Sequence, residues 1–284
     1  MKNIILYISI LSLVLASCNE PPIKTYYSNG NIEMIGDSIN GSLTVYWENG
    51  NKAIYTEYSD SLKHGMKQLW YESGELWSQM TFIKGVLHGT IKTWYKNDEL
   101  SLIGSYKNGV LDGEFIVMDS IGRRIGVKNY LNGKLHGKYR VQNPETNDLF
   151  EYIEYDNGKK HGKYLKNFLN GNPEIEMYYK HGLRDSICKE WFESGELRRI
   201  RNFSNDTLDG LIQIFYKNGK IWGESIYKNG SWVSERQFHK NGKLKSECNF
   251  KNGKRHGFYT YRDTTGEILI EKMYENGEII NKSH

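Results

Sequence analysis

The 284-residue chain is short of proline and cysteine, with 4 and 3 copies against 29 glycines. It also lacks a dominant charge, a basic block, and any long apolar stretch after its first residues. With 38% hydrophobic residues, this composition excludes collagen and low-complexity linkers. Lysine and arginine number 38 against 34 acidic residues, and the surplus of four is spread along the chain, so no nucleic-acid-binding patch is indicated. The cysteines are too few for a disulfide framework. Cys188 and Cys248 fall in non-adjacent repeats and read as free, half-buried thiols, because bonded Cα atoms must lie within about 7 Å.

The one apolar run, Ile4 to Leu15, follows a single Lys and precedes small residues. It is too short to span a bilayer and has the layout of a secretory signal peptide. Leu15-Ala16-Ser17-Cys18 resembles the lipobox of bacterial lipoproteins, which implies cleavage after residue 17 and a lipidated Cys18. Two or three acyl chains at about 0.8 kcal/mol per buried methylene make a firm anchor. The expected segments are a signal peptide (1–17), an acylated Cys and tether (18–25), a repeat domain (26–280) and a tail (281–284). Mature charge is 37 − 34 = +3, too diffuse for a polybasic membrane clamp. Asn19-Glu20 after the Cys carries no inner-membrane retention signal, so a bacterial envelope location at the outer membrane is expected.

Everything after the tether repeats with a period of 24 residues. A small residue opens each unit: Gly41, Gly65, Gly89, Gly113, Gly137, Gly162, Ser186, Gly210, Ser234 and Gly257. Ten units tile residues 41–280 behind a half unit from Tyr26. An aromatic recurs at one phase in all ten: Tyr58, Phe82, Tyr106, Tyr130, Tyr155, Tyr179, Phe203, Tyr227, Phe250 and Tyr274.

Twelve Asn-Gly dipeptides punctuate the units, and both residues tolerate the positive φ of a tight hairpin turn. Between turns lie segments of about six residues, too short and too Gly-bounded for helices. Leu76, Ser78, Met80 and Phe82 alternate onto one face, and Tyr46, Trp70, Trp94, Trp191 and Phe215 share a phase on the first segment. Each unit reads as a hairpin with an aromatic on each strand. One hairpin is marginal in water, so the units must pair side by side and stack their aromatics. The expected fold is all-β: an elongated antiparallel β-hairpin array of about twenty strands, roughly 95 Å long at about 4.8 Å per strand.

The unit Gly65-Met-Lys-Gln-Leu-Trp70-Tyr71-Glu-Ser-Gly74-Glu-Leu76, followed by Phe82-Ile-Lys-Gly85-Val-Leu87-His88-Gly89, resembles the bacterial variant of the MORN repeat. Arrays of this kind are labelled YwqK-type antitoxin family proteins. The resemblance covers the mature chain and implies a rod of hairpins used for protein scaffolding, in some members close to phospholipid. It also implies an antitoxin role, for which no residue here is a carrier. Unit five departs from the pattern: Asn143-Pro144-Glu145-Thr146-Asn147-Asp148 replaces an Asn-Gly turn, and a longer loop or a kink is expected there. Ser186, Asp206 and Ser234 stand where Gly is usual, which puts identical turn geometry around them in doubt.

No phosphate loop, nucleophile elbow or left-over helical domain is present to carry catalysis, and Glu72, Glu75, Glu193 and Glu196 reproduce a turn formula, so a non-enzymatic protein without cofactor is expected. His64, His88, His136, His161 and His256 precede opening glycines. Adjacent units roughly 9–10 Å apart cannot share an ion through equivalent positions, so they read as turn residues and no metal is expected. Trp47, Trp70, Trp94, Trp191 and Trp222 are the candidate partner-binding residues, with Trp77 and Trp232 beside them, on an aromatic face suited to a protein or other macromolecule. The expected function is an envelope-anchored scaffold. An antitoxin or immunity protein, and a phospholipid-binding module, are the alternatives.

Overall fold

The computed structural model describes residues 22–280. The signal peptide, Cys18 and the tail at 281–284 lie outside the described residues. Among the described residues there are 27 strands and no helix. The first strand, Ile23–Tyr26, pairs antiparallel with Ile32–Gly36, so strand structure begins three residues before the expected boundary at Tyr26. The chain divides into two compact units. One holds the described residues up to Val110 with Ser120–Gly122, and the other holds Leu111–Asp119 with everything from Arg123. Within each, successive strands pair antiparallel in chain order, and no pairing closes the last strand onto the first.

Eleven of the twelve Asn-Gly dipeptides split into two turn types at opposite ends of the strands, and Asn40-Gly41, where neither residue has positive φ, belongs to neither. At one edge Asn108, Asn132, Asn157, Asn229, Asn252 and Asn276 take positive φ together with the following Gly, giving the tight two-residue turns expected. At the other edge Asn29, Asn49, Asn170, Asn218 and Asn241 keep negative φ and only the Gly is left-handed. The loop there is wider: Gly50 N–H donates to Trp47 O at 2.9 Å and Trp47 N–H to Asn51 O at 2.8 Å. The Asn side chain explains the difference. Asn49 Oδ1 accepts from Asn51 N–H at 2.9 Å while its Nδ2 donates to the carbonyl of Glu72 in the next loop at 2.9 Å. Tight-turn geometry would give up both bonds.

The opening residue is a third device, a left-handed bulge within the first strand. Gly162 (φ +88°) faces Tyr179, and the next N–H, of Lys163, is taken by Glu154 Oε2 at 2.8 Å. Ser186 (φ 75°) and Asp206 (φ 65°) adopt the left-handed geometry of the glycines they replace. Ser234 does not. It pairs with Asn249, the register position of Leu211 opposite Ile226, so the opening position belongs to Val233, which the pairing with strand Ile221–Lys228 skips without a left-handed residue. Trp232 fills the space, stacked between Tyr227 (centroids 6.3 Å apart) and Phe250 (3.8 Å).

The alternating face predicted for Leu76 to Phe82 carries the core, because the register sets Met80 opposite Lys67 and Phe82 opposite Gly65. In the second unit Met177, Cys188 and Phe203 are buried together against Tyr164, Ile175, Tyr179 and Leu208. Cys188 and Cys248 are free, as the cysteine spacing implied, and buried where half-burial was expected. The recurring aromatic meets a ring two residues past the opening position, as in Phe115–Tyr130, Tyr139–Tyr155 and Tyr164–Tyr179, with centroids 6.2, 6.3 and 6.2 Å apart and planes near perpendicular. The partner ring is therefore not the one five residues past the opening. In four units a cation two residues before the opening covers the ring: Lys63 over Phe82 at 5.4 Å, Lys160 over Tyr179 at 5.0 Å, Arg184 over Phe203 at 4.3 Å and Arg255 over Tyr274 at 5.6 Å.

The unit-five loop is longer by one residue, and the pairing of strands Gly137–Gln142 and Leu149–Asp156 keeps the usual register on either side of it. Asn143, 5% exposed, anchors the loop through Oδ1 to Glu145 N–H at 2.9 Å and Nδ2 to Leu169 O at 3.0 Å.

Candidate partner-binding face

The predicted tryptophans do not form one surface. Trp47 belongs to a hydrogen-bonded column along the wide-loop edge. Its Nε1 donates to Trp70 O at 3.3 Å, as Tyr27 Oη donates to Tyr46 O (2.6 Å), Tyr71 Oη to Trp94 O (2.9 Å) and Tyr216 Oη to Phe238 O (3.0 Å). Trp70 and Trp94 sit half-buried and accept these donors through their carbonyls, with Lys52 over the Trp70 ring at 5.6 Å; Trp191 is half-buried at the equivalent position, where Phe168 holds the donor's place. The Trp47 indole and the three tyrosine hydroxyls tie neighbouring repeats to one another.

Trp222 is different. Like Trp77 in the other unit, it is the second residue of its strand and lies on the strand face opposite the core aromatic; it is exposed as Trp47 is, without a hydrogen bond of the Trp47 kind among the described residues. In the second unit that face continues into a shallow groove lined by Leu211, Ile226 and Phe258 together with Glu224, Arg236 and Glu247. Phe258 is 55% exposed and Ile226 45%, in a single-layer sheet whose apolar side chains on this face meet solvent. Arg236 and Arg262 both approach Glu247, at 3.9 and 3.1 Å. The groove thus offers apolar side chains bordered by groups of both signs, a composition suited to a protein surface.

The core face carries its own charged group. Glu190 accepts from Arg199 at 2.6 Å and also from Arg201, next to the Cys188 thiol. Burial pushes that thiol up from its ordinary pKa despite the neighbouring Arg201, which disfavours a thiolate nucleophile.

The hairpin period, the bulged opening residue and the aromatic on the second strand together define the repeat. The family model described as MORN repeat variant matches residues 63–84, 87–108, 160–181, 208–229 and 234–252. Five stretches of the chain are thus similar to the MORN repeat variant. Units between the matched MORN stretches keep the same strand pairing, as in the unit from Ser186 to Phe203. No curated protein matches the chain. Among solved structures, one titled "Crystal Structure of TcdB2-TccC3" is similar at 11% identity and a TM-score of 0.18, over 89% of this chain and 18% of that one. "Crystal Structure of TcdB2-TccC3-TEV" gives 10% identity and 0.20, over 96% and 20%. The chain therefore spans about a fifth of the length of these structures, and at such values the likeness says nothing about activity.

The spacing argument compared equivalent positions and missed a group of possible ligands that the tight-turn edge brings together. Asp156, His161 and His181 each offer a ligand atom, all within 4.8 Å of one another. His181 is a turn residue, in the slot held elsewhere by Asn108 or Asn229, and its 20-residue offset from His161 differs from the 24-residue period.

Proposed function

We propose that this MORN-repeat protein is a non-enzymatic, envelope-anchored scaffold that binds a protein partner through the sheet face bearing Trp222. The observation that supports it is the groove lined by the exposed Leu211, Ile226 and Phe258, with Trp222 exposed on the strand that carries Ile226, four residues before it. Exposed aromatic anchors beside mixed charge are the usual centre of a protein interface, and truncating one costs about 2 kcal/mol or more in binding. The test is cross-linking and affinity capture from envelope fractions with the wild-type chain, a Trp222→Ala/Phe258→Ser double variant, and Trp47→Tyr. A partner retained by Trp47→Tyr and lost by the double variant, which still melts as wild type does, supports the reading. Equal recovery by all three, or a small-molecule activity with no partner, sinks it.

Lipid attachment at Cys18 is part of the same proposal and rests on the sequence Leu15 to Cys18. Metabolic labelling with an alkyne fatty acid, lost in Cys18→Ser, checks it. The antitoxin and phospholipid alternatives rest on family resemblance alone. Rescue of growth from a co-expressed toxin, or co-sedimentation of the unacylated chain with anionic liposomes, would each move the proposal to that partner.

A further inference from the structure

Along the tight-turn edge, the residue before each opening bulge accepts the first N–H of the next turn. Asn40 Oδ1 takes Asp60 N–H at 2.8 Å, Asp112 Oδ2 takes Asn132 N–H at 3.0 Å, and Asp209 Oδ1 takes Asn229 N–H at 3.1 Å. Where the residue is histidine the contact is looser: Nδ1 of His88 and of His161 stand 3.4 Å from the N–H of Asn108 and His181. An oxygen acceptor serves this structural duty better, and the imidazole lone pair is only weakly engaged. His161 differs from His88 in one respect. Its neighbouring turn residue is a second histidine, with ring centroids 5.1 Å apart.

A carboxylate completes the group. Asp156 ends strand Leu149–Asp156, and its Oδ1 lies 3.2 Å from Asn157 Nδ2 and 3.4 Å from His136 Nδ1, which orient it at this edge. Three chain segments thus converge: the end of strand Leu149–Asp156, the strand Lys159–Asn167, and the turn that follows strand Pro173–Lys180. The local cation Lys160 is drawn away over the rings of Tyr164 and Tyr179, at 5.2 and 5.0 Å on the core face.

We propose that Asp156, His161 and His181 form a site for a divalent first-row transition ion, with Zn²⁺ as its probe. Two imidazoles and one carboxylate form a borderline-soft donor set of the kind that binds such ions, with water filling the open position. Tetrahedral Zn–N and Zn–O bonds of about 2.0–2.2 Å set ligand atoms roughly 3.4 Å apart, so atoms that now lie within 4.8 Å close by at most about 1.4 Å through side-chain rotation. Bound metal would clamp neighbouring hairpins at the edge.

The test titrates the purified full chain with Zn²⁺ by calorimetry, and with Co²⁺ by visible absorption, for wild type, His181→Asn, His161→Asn and His88→Asn. Asparagine is native at the equivalent turn slot (Asn108, Asn229) and at the equivalent acceptor position (Asn40), so the variants keep the fold, and circular dichroism verifies this. Changes that merely reorient metal ligands cost about 10–100-fold in affinity, so removing a ligand should weaken binding at least about tenfold. The expected result is one Zn²⁺ per wild-type chain with a rise in melting temperature, both lost in His181→Asn and His161→Asn and kept in His88→Asn. Equal binding by wild type and His181→Asn, equal loss in His88→Asn, or no saturable binding would overturn the site.

Discussion

Replacing Phe203 by alanine tests whether stability is held in nearest-neighbour interfaces along one face. Phe203 is 6% exposed, packs on Met177 and Cys188, and has Arg184 and Arg201 over its ring at 4.3 and 5.3 Å. Burying an aromatic removes about 150 Å² or more from water, worth about 3–4 kcal/mol at 25 cal/mol per Å². With alanine in its place, a loss of about 3 kcal/mol follows, near the lower end for buried Phe→Ala, because a one-layer core collapses easily into the space. In a repeat array that loss stays local. Amide exchange should rise roughly a hundredfold in strands Pro173–Lys180, Ser186–Trp191 and Leu197–Ser204, and change little in strands Ile268–Glu275 and Ile23–Tyr26. Hydrogen–deuterium exchange with peptide resolution reads this directly. A uniform rise along the chain, or a loss below about 1 kcal/mol by urea unfolding, would refute the picture of a thin, locally coupled core.

Three further outcomes follow from single positions. Gly171→Ala, at φ +85° with open space around it, should cost about 1 kcal/mol by urea midpoint. Gly162→Ala should cost about 2–4, because its methyl meets the Glu154 carboxylate and breaks the bond to Lys163 N–H; equal costs would refute the role of Glu154. At high pH the fold should weaken. Burial first, then the hydrogen bond to Glu154 and its charge, push the Tyr152 hydroxyl up to about 12 from an ordinary 10.0, against the pull of Arg140, and burial likewise raises Tyr139, Tyr155, Tyr164 and Tyr179. A folded pKa above the unfolded one means this stability is complete below pH 10 and is lost as pH rises toward 12; urea midpoints against pH should show it, with a shallower fall in Tyr152→Phe. Cys188 and Cys248, both buried and with thiols raised chiefly by burial, should resist an aromatic disulfide reagent until denaturant is added, and rapid labelling of the native chain would contradict their packing.

The periodic part of this structure was legible because a repeat exposes each position ten times over. The aromatic on the second strand, the strand lengths and the alternation from Leu76 to Phe82 all stand where the period put them. Turn type was not legible from the dipeptide alone. Asn-Gly reads the same at Asn49 and Asn108, and what separates them is whether the Asn amide has a carbonyl in the next loop to reach. Nor could small size mark Ser234 as an opening residue, since Trp232 had already taken up the space by stacking on Phe250.

A self-similar sequence aligns equivalents 24 residues apart, yet the atoms that touch are offset by other amounts. On the tight-turn edge the donor lies 20 residues after its acceptor, as in Asn40 and Asp60. On the wide-loop edge the separation is 23, as in Trp47 and Trp70. Repetition therefore reveals columns of like residues and hides the contacts between unlike ones. For this reason Trp47 looked like a binding residue: within its column it stands where Tyr71 and Tyr216 stand, and its indole does the work of their hydroxyls. The same offset kept His161 and His181 apart in the alignment while the turn brought their rings to 5.1 Å. Trp222 stands on the face opposite the core aromatics and is exposed, as Trp77 is, which leaves its ring for a partner, and its loss should affect binding without affecting the fold.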